Sequence, residues 1–182
     1  PMAMTNKVVK DGFLVPDVEA HLTPREKADS LLARMTLDEK IDMLAGYDGM
    51  AIHGNDRLGL LPVMCSDASA GVRCFGRSTA FPVPVAMAAT WNRTLLRRIG
   101  EAIAEECRAK GISIQLGPGV NICRVPTCGR NFEYLGEDPF LASELVVPYI
   151  EGVQAKGVIT TVKHFVCNNS DYDRHRMSSE VD

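Results

Sequence analysis

The chain has 182 residues and is 46% hydrophobic, which is typical of a globular protein with a buried core rather than of a disordered segment. Its 20 Lys and Arg residues are nearly balanced by 23 Asp and Glu, so the sequence offers no basic surface for nucleic acid or for an anionic membrane. No apolar run approaches the roughly 20 residues that cross a bilayer, and we therefore expect a neutral ligand and neither nucleic acid nor membrane as a partner.

Two capping boxes predict consecutive helices in the first third of the chain. In "LTPREKADSLLARM", Thr23 can cap the first turn while Glu26 reaches back to it. A second box runs from Thr36 to Glu39, and Gly46 offers an end to that helix.

A short buried strand is predicted for "LLPVMC", after a polar loop over residues 47 to 59. It leads into "SDASAGVR", where Gly71 and other small residues let the backbone come close to a bound molecule. The two prolines of "AFPVPVAMAATWN" disfavour a central strand, so this stretch is expected to be a short strand or the edge of a sheet.

The rest of the chain alternates helices and buried strands. An amphipathic helix is predicted up to Gly111, followed by the strand "ISIQL". The next helix begins after Asp138 and ends at Gly157, with Pro148 expected to kink it or split it, and the strand "VITTV" follows. This alternation with short links indicates right-handed parallel βαβ units and therefore an α/β fold.

Six cysteines leave the redox state open. Cys65 with Cys74, and Cys123 with Cys128, flank short loops, and either pair could form a disulfide in an oxidising compartment. We favour buried thiols, because cysteine usually packs as a small hydrophobic residue. No Cys-x-x-Cys pair indicates zinc, and no metal or organic cofactor is expected. The first residues lack the apolar region of a signal peptide, so the compartment stays open: cytoplasmic, or periplasmic or secreted if a signal peptide was removed.

Polar side chains follow the ends of the predicted strands. Asp67 follows one strand, and Arg130 lies in the loop after "ISIQL". Lys163 and His164 follow "VITTV". In a parallel barrel, the loops at the carboxyl ends of the strands form the active site. Carboxylate, guanidinium and ammonium groups that converge there suit the hydroxyl groups of a neutral sugar.

Each candidate also has a purely structural interpretation. Lys163 could pair with Asp67 inside the fold, as interior ion pairs do. His164 could bond a backbone carbonyl, and Arg130 could brace its own loop through Glu133. Weaker candidates, which could support the site or merely lie in solvated loops, are Arg73, Glu133, Asn168 and Arg174.

Several stretches together suggest a family. In chain order they are "MTLDEKIDMLAG", "SDASAGVR", "FPVPVAMAATWN", "GPGVNICRVPTCGRNFEYLGEDPFLASE", "GVITTVKHFVCNN" and the later "SSEVD". They resemble the N-terminal domain of family 3 glycoside hydrolases, in particular its β-glucosidase-like branch. The stretch "KHF" is followed by "VCNN" and not by a Pro-Gly-His-Gly run, so the chain does not resemble the branch that cleaves N-acetylglucosaminides with a histidine acid/base.

The resemblance implies an α/β fold, the N-terminal part of a (β/α)8 TIM-type barrel that is incomplete in this chain. Residues 1–22 would be an N-terminal extension and residues 23–182 the N-terminal portion of the barrel domain, without the rest of the barrel or the α/β sandwich domain. A closed barrel takes eight strands and typically about 250 residues, and the predicted strands are too few to close one.

The resemblance also implies roles for the strongest candidates. Asp67 would hold outer hydroxyls of the terminal sugar, with Arg130 and Lys163 as donors. His164 would lie beside them, and the Lys-His pair would clamp the sugar without transferring a proton. A retaining glycosidase needs two carboxyl groups about 5 Å apart. In the family these come from a later barrel strand and usually from the second domain, so no catalytic residue is expected among these 182 residues.

The expected reaction is hydrolysis of terminal non-reducing β-D-glucosidic bonds by retaining double displacement, in carbohydrate metabolism and polysaccharide degradation. This chain would supply the sugar-binding part of the subsite next to the scissile bond. The expected partners are a β-glucoside or oligosaccharide and the remainder of the same enzyme, with a homo-oligomer left open. The alternative is a non-catalytic carbohydrate-binding or interaction module that lacks the catalytic carboxylates.

Overall fold

A computed structural model describes residues 7–10, 13–16 and 21–180, and divides the chain into two compact units between Val63 and Met64. Of the predicted extension, residues 1–22, the ranges 1–6, 11–12 and 17–20 lie outside the described residues. The elements of the first unit are β1 (Lys7–Lys10), β2 (Phe13–Pro16), α1 (Pro24–Arg34), α2 (Leu37–Asp42), β3 (Gly46–Tyr47) and β4 (Ala51–Ile52). Strands β1 and β2 pair antiparallel, as do β3 and β4.

Both predicted capping boxes are present. The Glu26 carboxylate accepts a hydrogen bond from the Thr23 backbone N–H at 2.8 Å, while the Thr23 hydroxyl accepts from the Glu26 backbone at 3.3 Å. Thr36 and Glu39 repeat the arrangement at 2.8 and 3.3 Å. Each box satisfies two backbone groups that the first helical turn leaves without a partner.

The prediction of a plain polar loop over residues 47 to 59 is wrong. Helix α2 ends at Asp42, short of Gly46, and Gly46 instead opens the β3–β4 hairpin, where it pairs with Ile52. A short 3-10 helix, Asp56–Leu58, follows and is capped by the Asn55 side chain. Such short elements are held by backbone bonds and caps, and apolar periodicity does not reveal them.

The second unit is α/β. Its strands, counted from Met64 onward, belong to β5 (Val63–Asp67), β6 (Ile112–Leu116) and β7 (Ile159–Thr160), which pair in parallel with β6 in the middle. Its helices are α3 (Pro84–Ala88), α4 (Arg93–Ala109) and α5 (Pro139–Ala155). The predicted alternation of strands and helices is therefore confirmed, although β7 is shorter than the stretch "VITTV".

Helices α4 and α5 approach each other closely because each has a glycine at the point of contact. A Cβ atom on Gly100 would collide with the carbonyl oxygen of Tyr149, and one on Gly152 with the carbonyl oxygen of Arg97. Around this crossing the side chains of both helices and of β6 form the core, and burying each large aliphatic side chain stabilises the unit by about 1.5–3 kcal/mol. The fully buried members include Leu96, Ile103, Cys107, Ile112, Leu145 and Val153.

Two predictions for this unit are corrected. The stretch "AFPVPVAMAATWN" was expected to be a short strand or the edge of a sheet, but its residues Pro84–Ala88 form helix α3, with Pro84 in the first turn. Proline suits that position because its fixed φ matches the helix and its missing N–H is not needed there. Pro148 does not split α5, which is continuous from Pro139 to Ala155, while the alternative expectation of a kink at Pro148 stays a prediction. Within the described ranges, no helix is long and apolar enough to cross a membrane.

Candidate active site

The candidate site lies where the three parallel strands of the second unit end. Asp67 is the last residue of β5, and Lys163 follows β7. The connection from β6 to α5 brings in Arg130 and Glu133, which lie in and beside a short 3-10 helix, Asn131–Glu133. The carboxyl ends of adjacent parallel strands share one edge of the sheet, so these distant segments meet there.

Four side chains form an alternating chain of charges, which we call the ion-pair chain: Asp67, Lys163, Glu133 and Arg130. The Lys163 ammonium lies 2.6 Å from Asp67 Oδ1 and 3.2 Å from Glu133 Oε2. The other oxygen of Glu133 accepts from the Arg130 guanidinium at 2.7 Å. Two positive and two negative groups leave the cluster formally neutral.

Exposure differs along the ion-pair chain. The side chains of Glu133 and Lys163 are only 7% and 11% exposed, whereas Asp67 is 37% exposed. A buried charge is costly unless it is paired, and these two buried charges neutralise each other. Burial alone would lower the pKa of Arg130, but its hydrogen bond to Glu133 and the charge of Glu133 raise the pKa above its usual value. Asp67 is thus the end of the ion-pair chain most open to a ligand.

A cleft of about 250 Å³ opens beside Asp67 and Glu133. Arg73 and Phe132 also line it, together with the small residues at positions 69 to 71. Its floor is held by the Arg73 backbone N–H, which donates to the Asp67 carbonyl at 3.0 Å. The volume lies just below the range of about 300–1,000 Å³ that is usual for drug-sized ligands, so the cleft suits a ligand smaller than those.

A second polar group surrounds the Tyr134 hydroxyl. His164 Nδ1 lies 2.8 Å from it, and the Asn168 side-chain amide donates to it at 2.9 Å. The backbone N–H of His164 donates to the Asn121 side chain at 2.6 Å. Burial, followed by the positive charges of Arg130 and Lys163, lowers the pKa of His164, and burial raises the pKa of Tyr134.

Comparison with known proteins shows which family this chain resembles. The model of the glycosyl hydrolase family 3 N-terminal domain matches residues 36–182. The chain belongs to glycosyl hydrolase family 3. It is 40% identical to thermostable β-glucosidase B of Acetivibrio thermocellus over 164 residues, which cover 84% of this chain and 22% of that protein. It is 38% identical to an exo-α-(1→6)-L-arabinopyranosidase of Bifidobacterium longum over 160 residues, covering 81% of this chain and 21% of that protein.

Solved structures of the family agree with the fold. β-Glucosidase 3B of Thermotoga neapolitana in complex with α-D-glucose superimposes with a TM-score of 0.74 and 37% identity, over 80% of this chain and 24% of that chain. The chain thus spans about a fifth of the length of the curated relatives it matches.

Within this family 3 chain, the structure brings most sequence-predicted residues together. Asp67, Arg130, Lys163 and the weaker candidate Glu133 form the ion-pair chain, and Arg73 lines the adjacent cleft. His164 and Asn168 instead meet around the Tyr134 hydroxyl. Arg174 pairs with Asp171 at 3.5 Å, and half of its side chain is exposed.

Sequence reasoning missed three residues that organise the site: Gly119, Asn121 and Tyr134. Gly119 bridges in parallel to both Tyr134 and Lys163. The run "GPG" directly after a buried strand was the available signal, because glycine there permits close backbone approach. Tyr134 directly follows Glu133, but nothing in the local sequence shows that its side chain is fully buried.

Among the residues that the structure describes, no group of three or more His, Cys, Asp or Glu side chains could hold a metal ion. All six cysteines lie in that part of the chain, and no disulfide joins any of them there. The thiol of Cys107 is buried among the core helices, and burial raises its pKa to about 11. Such a thiol is a packing group, because the reactive thiolate form is suppressed.

Proposed function

We propose that this chain supplies the sugar-binding part of the subsite next to the scissile bond in a retaining β-glucosidase. The complete enzyme would hydrolyse terminal non-reducing β-D-glucosidic bonds. The observation that carries the proposal is the formally neutral ion-pair chain, which ends at Asp67 on the wall of a cleft suited to one sugar ring.

The hydrogen-bonding capacity of these groups suits a sugar. The partly exposed Asp67 carboxylate keeps acceptor capacity after bonding Lys163, so it can accept from two adjacent hydroxyls. The ammonium of Lys163 has three donors and the guanidinium of Arg130 has five, which leaves protons for sugar oxygens. A formally neutral cluster also favours a neutral ligand, because a charged one would leave an unbalanced charge in a partly buried site.

The carboxyl groups that perform the reaction are proposed to lie outside this chain. Retaining hydrolysis needs a nucleophile and an acid/base about 5–5.5 Å apart. Asp67 and Glu133 are each held by a cation, which suits binding rather than attack on an anomeric carbon. Because the chain spans about a fifth of its relatives, we assign both catalytic roles to the remainder of the enzyme.

We further propose that residues 23–182 are the N-terminal portion of a (β/α)8 barrel, with residues 1–22 as an extension. The parallel order β5, β6, β7 with intervening helices supports this arrangement. Apolar side chains are exposed at and just after β7: Ile159 is 57% exposed and Phe165 is 89% exposed. In a complete barrel the next strand would pair with β7 and remove this open edge.

The test is Lys163→Ala in the complete polypeptide that contains this chain, assayed with an aryl β-glucoside. Removing a positioned donor is expected to lower kcat/KM by about a hundredfold or more. The matched control is Lys156→Ala, since Lys156 also lies 2.6 Å from a carboxylate, that of Glu105, but on the surface. An unchanged kcat/KM in Lys163→Ala, together with a lowered melting temperature, would show that the ion-pair chain is only structural.

A binding module is the second candidate, favoured by the observation that both carboxylates of the site are already ion-paired. Calorimetric titration of the isolated chain with glucose separates the two proposals. A soluble chain that binds glucose supports the module, whereas a chain that is insoluble or does not bind supports the incomplete subsite. Parallel assays of the complete polypeptide with aryl β-D-glucoside and aryl α-L-arabinopyranoside then decide between the activities named for its relatives.

A further inference from the structure

The Tyr134 hydroxyl is buried and has two partners. The Tyr134 side chain has no exposed surface, so its hydroxyl must bond within the protein. The Asn168 amide nitrogen lies 2.9 Å from the hydroxyl oxygen, and His164 Nδ1 lies 2.8 Å from it. Both distances are those of good hydrogen bonds.

The direction of these two bonds follows from the donors. The Asn168 NH2 group can only donate, so the Tyr134 oxygen accepts there. The hydroxyl proton of Tyr134 is then directed to its other partner, His164 Nδ1, which must accept it. A neutral imidazole has one accepting and one donating nitrogen, so the ring proton of His164 lies on Nε2.

The surroundings of His164 favour the neutral ring and hold its orientation. Burial and the charges of Arg130 and Lys163 lower its pKa, although Glu133 and Asp171 act in the opposite direction. The ring stands edge-on to the Tyr134 ring, with centroids 5.9 Å apart and planes at 82°. The hydrogen bond from the His164 backbone to Asn121, at 2.6 Å, fixes the main chain at the same point.

We propose that Tyr134 and Asn168 are positioning residues that hold His164 in its Nε2–H tautomer, so that this histidine offers the ligand a hydrogen-bond donor. The inference rests on the proposed function and on the expectation, implied by the family resemblance, that His164 lies beside the bound sugar. It makes Asp67 the main acceptor of the site, with Lys163, Arg130 and His164 all donating. A ligand atom that meets His164 must therefore accept a hydrogen bond, as a sugar hydroxyl oxygen can, and a protonated amine at that position is rejected.

The decisive measurement is solid-state NMR of the complete polypeptide labelled with ¹⁵N-histidine. The His164 signals are assigned by subtracting the spectrum of His164→Gln. We expect an unprotonated Nδ1 and a protonated Nε2 in the sugar-free protein. A proton on Nδ1 of the unmodified protein would overturn the proposal.

Asn168→Asp tests the direction of the bonds. The introduced carboxylate accepts the Tyr134 proton, so His164 Nδ1 must become the donor to the Tyr134 oxygen. We expect Nδ1 of His164 to gain a proton in this variant, whether or not Nε2 keeps its own. An Nδ1 that stays unprotonated would contradict the proposed network.

Tyr134→Phe links the tautomer to activity. Without the phenol proton the Nε2–H form is no longer imposed, and we expect kcat/KM to fall roughly five- to tenfold, the value of one hydrogen bond. Tyr149→Phe is the matched control, since it removes another buried hydroxyl, one bonded to Gln115 within the core. Equal losses of kcat/KM in the two variants would show that Tyr134 has only a structural role. The NMR result does not depend on any sugar, so failure of the proposed function and failure of the tautomer assignment are distinguishable.

Discussion

Gly119 and Lys163 form a parallel β-bridge beyond the ends of strands β6 and β7. The Lys163 backbone N–H donates to the Pro118 carbonyl at 3.0 Å, and the Lys163 carbonyl accepts from the Val120 N–H at 2.7 Å. On its other side, Gly119 lies so close to the Glu133 backbone that a Cβ atom would collide with the Glu133 carbonyl oxygen. A single glycine therefore sets the spacing between the two segments that supply the buried charges of the site.

Gly119→Ala is expected to disrupt the site and the fold together. The added methyl group would meet the Glu133 carbonyl oxygen and lie 2.9 Å from the Tyr134 ring, so the backbone must move. Overpacking of this kind costs about 1–3 kcal/mol of the free energy of unfolding. Urea unfolding measures this loss, and glucose titration of the complete polypeptide should show weakened binding.

The control for this variant is Gly46→Ala. A Cβ atom on Gly46 would have no neighbour within 4 Å, so we expect unchanged binding and a change in stability of no more than about 0.5 kcal/mol. If Gly119→Ala proves as mild as Gly46→Ala, the close approach at Gly119 does not constrain the site.

Glu133→Gln should unbalance the ion-pair chain. The amide keeps the shape of the side chain but removes the charge shared by Arg130 and Lys163, so the cluster becomes formally positive by one unit. Because Glu133 is only 7% exposed, we expect the free energy of unfolding to fall by about 2 kcal/mol or more. We also expect weaker glucose binding, because the ammonium of Lys163 then turns wholly toward Asp67.

Glu105→Gln is the matched control for Glu133→Gln. Glu105 also accepts from a lysine, Lys156, at 2.6 Å, but its side chain is 62% exposed. Exposed ion pairs contribute little to stability, so this variant should unfold almost as the parent does and bind glucose equally well. Equal effects of the two substitutions on stability and binding would contradict the special role assigned to the buried carboxylate.

The sequence predicted those parts of the fold that depend on local signals. Thr23 and Thr36 marked helix starts because each capping box lies within four neighbouring residues. The strand "ISIQL" was correct to the residue, because its apolar residues alternate along a short run that is bounded by Gly111 and Gly117. Asp67 and Lys163 were expected to converge because each follows a parallel strand, and their 2.6 Å contact agrees with that expectation.

The parts that sequence reasoning missed depend on packing between distant segments. Pro84 is equally compatible with the edge of a strand and with the first turn of a helix, and only the surrounding structure selects the helix. The burial of Glu133 and Tyr134 follows from the backbone bridge to Gly119, which no local pattern encodes. His164 was expected to bond a backbone carbonyl if it were structural, yet its ring bonds a tyrosine hydroxyl from the preceding connection.

Arg57 should control the titration of Glu39 in the first unit. Its guanidinium donates to both carboxylate oxygens of Glu39, at 2.7 and 2.5 Å, and to the Arg34 carbonyl at 2.8 Å. The hydrogen bond from Arg57, and then the one from the Thr36 backbone, lower the pKa of Glu39 to about 2. In Arg57→Gln we expect this pKa to rise toward its ordinary value of 4.5, as measured by NMR titration of the carboxyl carbon.

The sign of the effect on stability follows from that shift. The pKa of Glu39 is lower in the folded state than in the unfolded state. The Arg57–Glu39 pair therefore contributes to stability above pH 4.5, and this contribution is lost as the pH falls toward about 2. The control is Arg25→Gln, which removes an exposed pair with Asp29 at 3.6 Å and should leave the Glu39 titration unchanged. A Glu39 pKa that does not move in Arg57→Gln would show that the helix cap alone lowers it.

His164 should make the second unit less stable in mild acid. Burial and the charges of Arg130 and Lys163 lower its pKa, so between the folded and unfolded pKa values only the unfolded chain binds the proton. The resulting contribution to stability is therefore complete above the ordinary histidine pKa of about 6.5 and is lost as the pH falls below it. Urea unfolding at a series of pH values from about 8 to about 5 measures how the free energy of unfolding depends on pH. In His164→Gln we expect this dependence to be weaker. The exposed His175 provides the control, and an equal flattening in His175→Gln would assign the acid sensitivity to general charge rather than to the site.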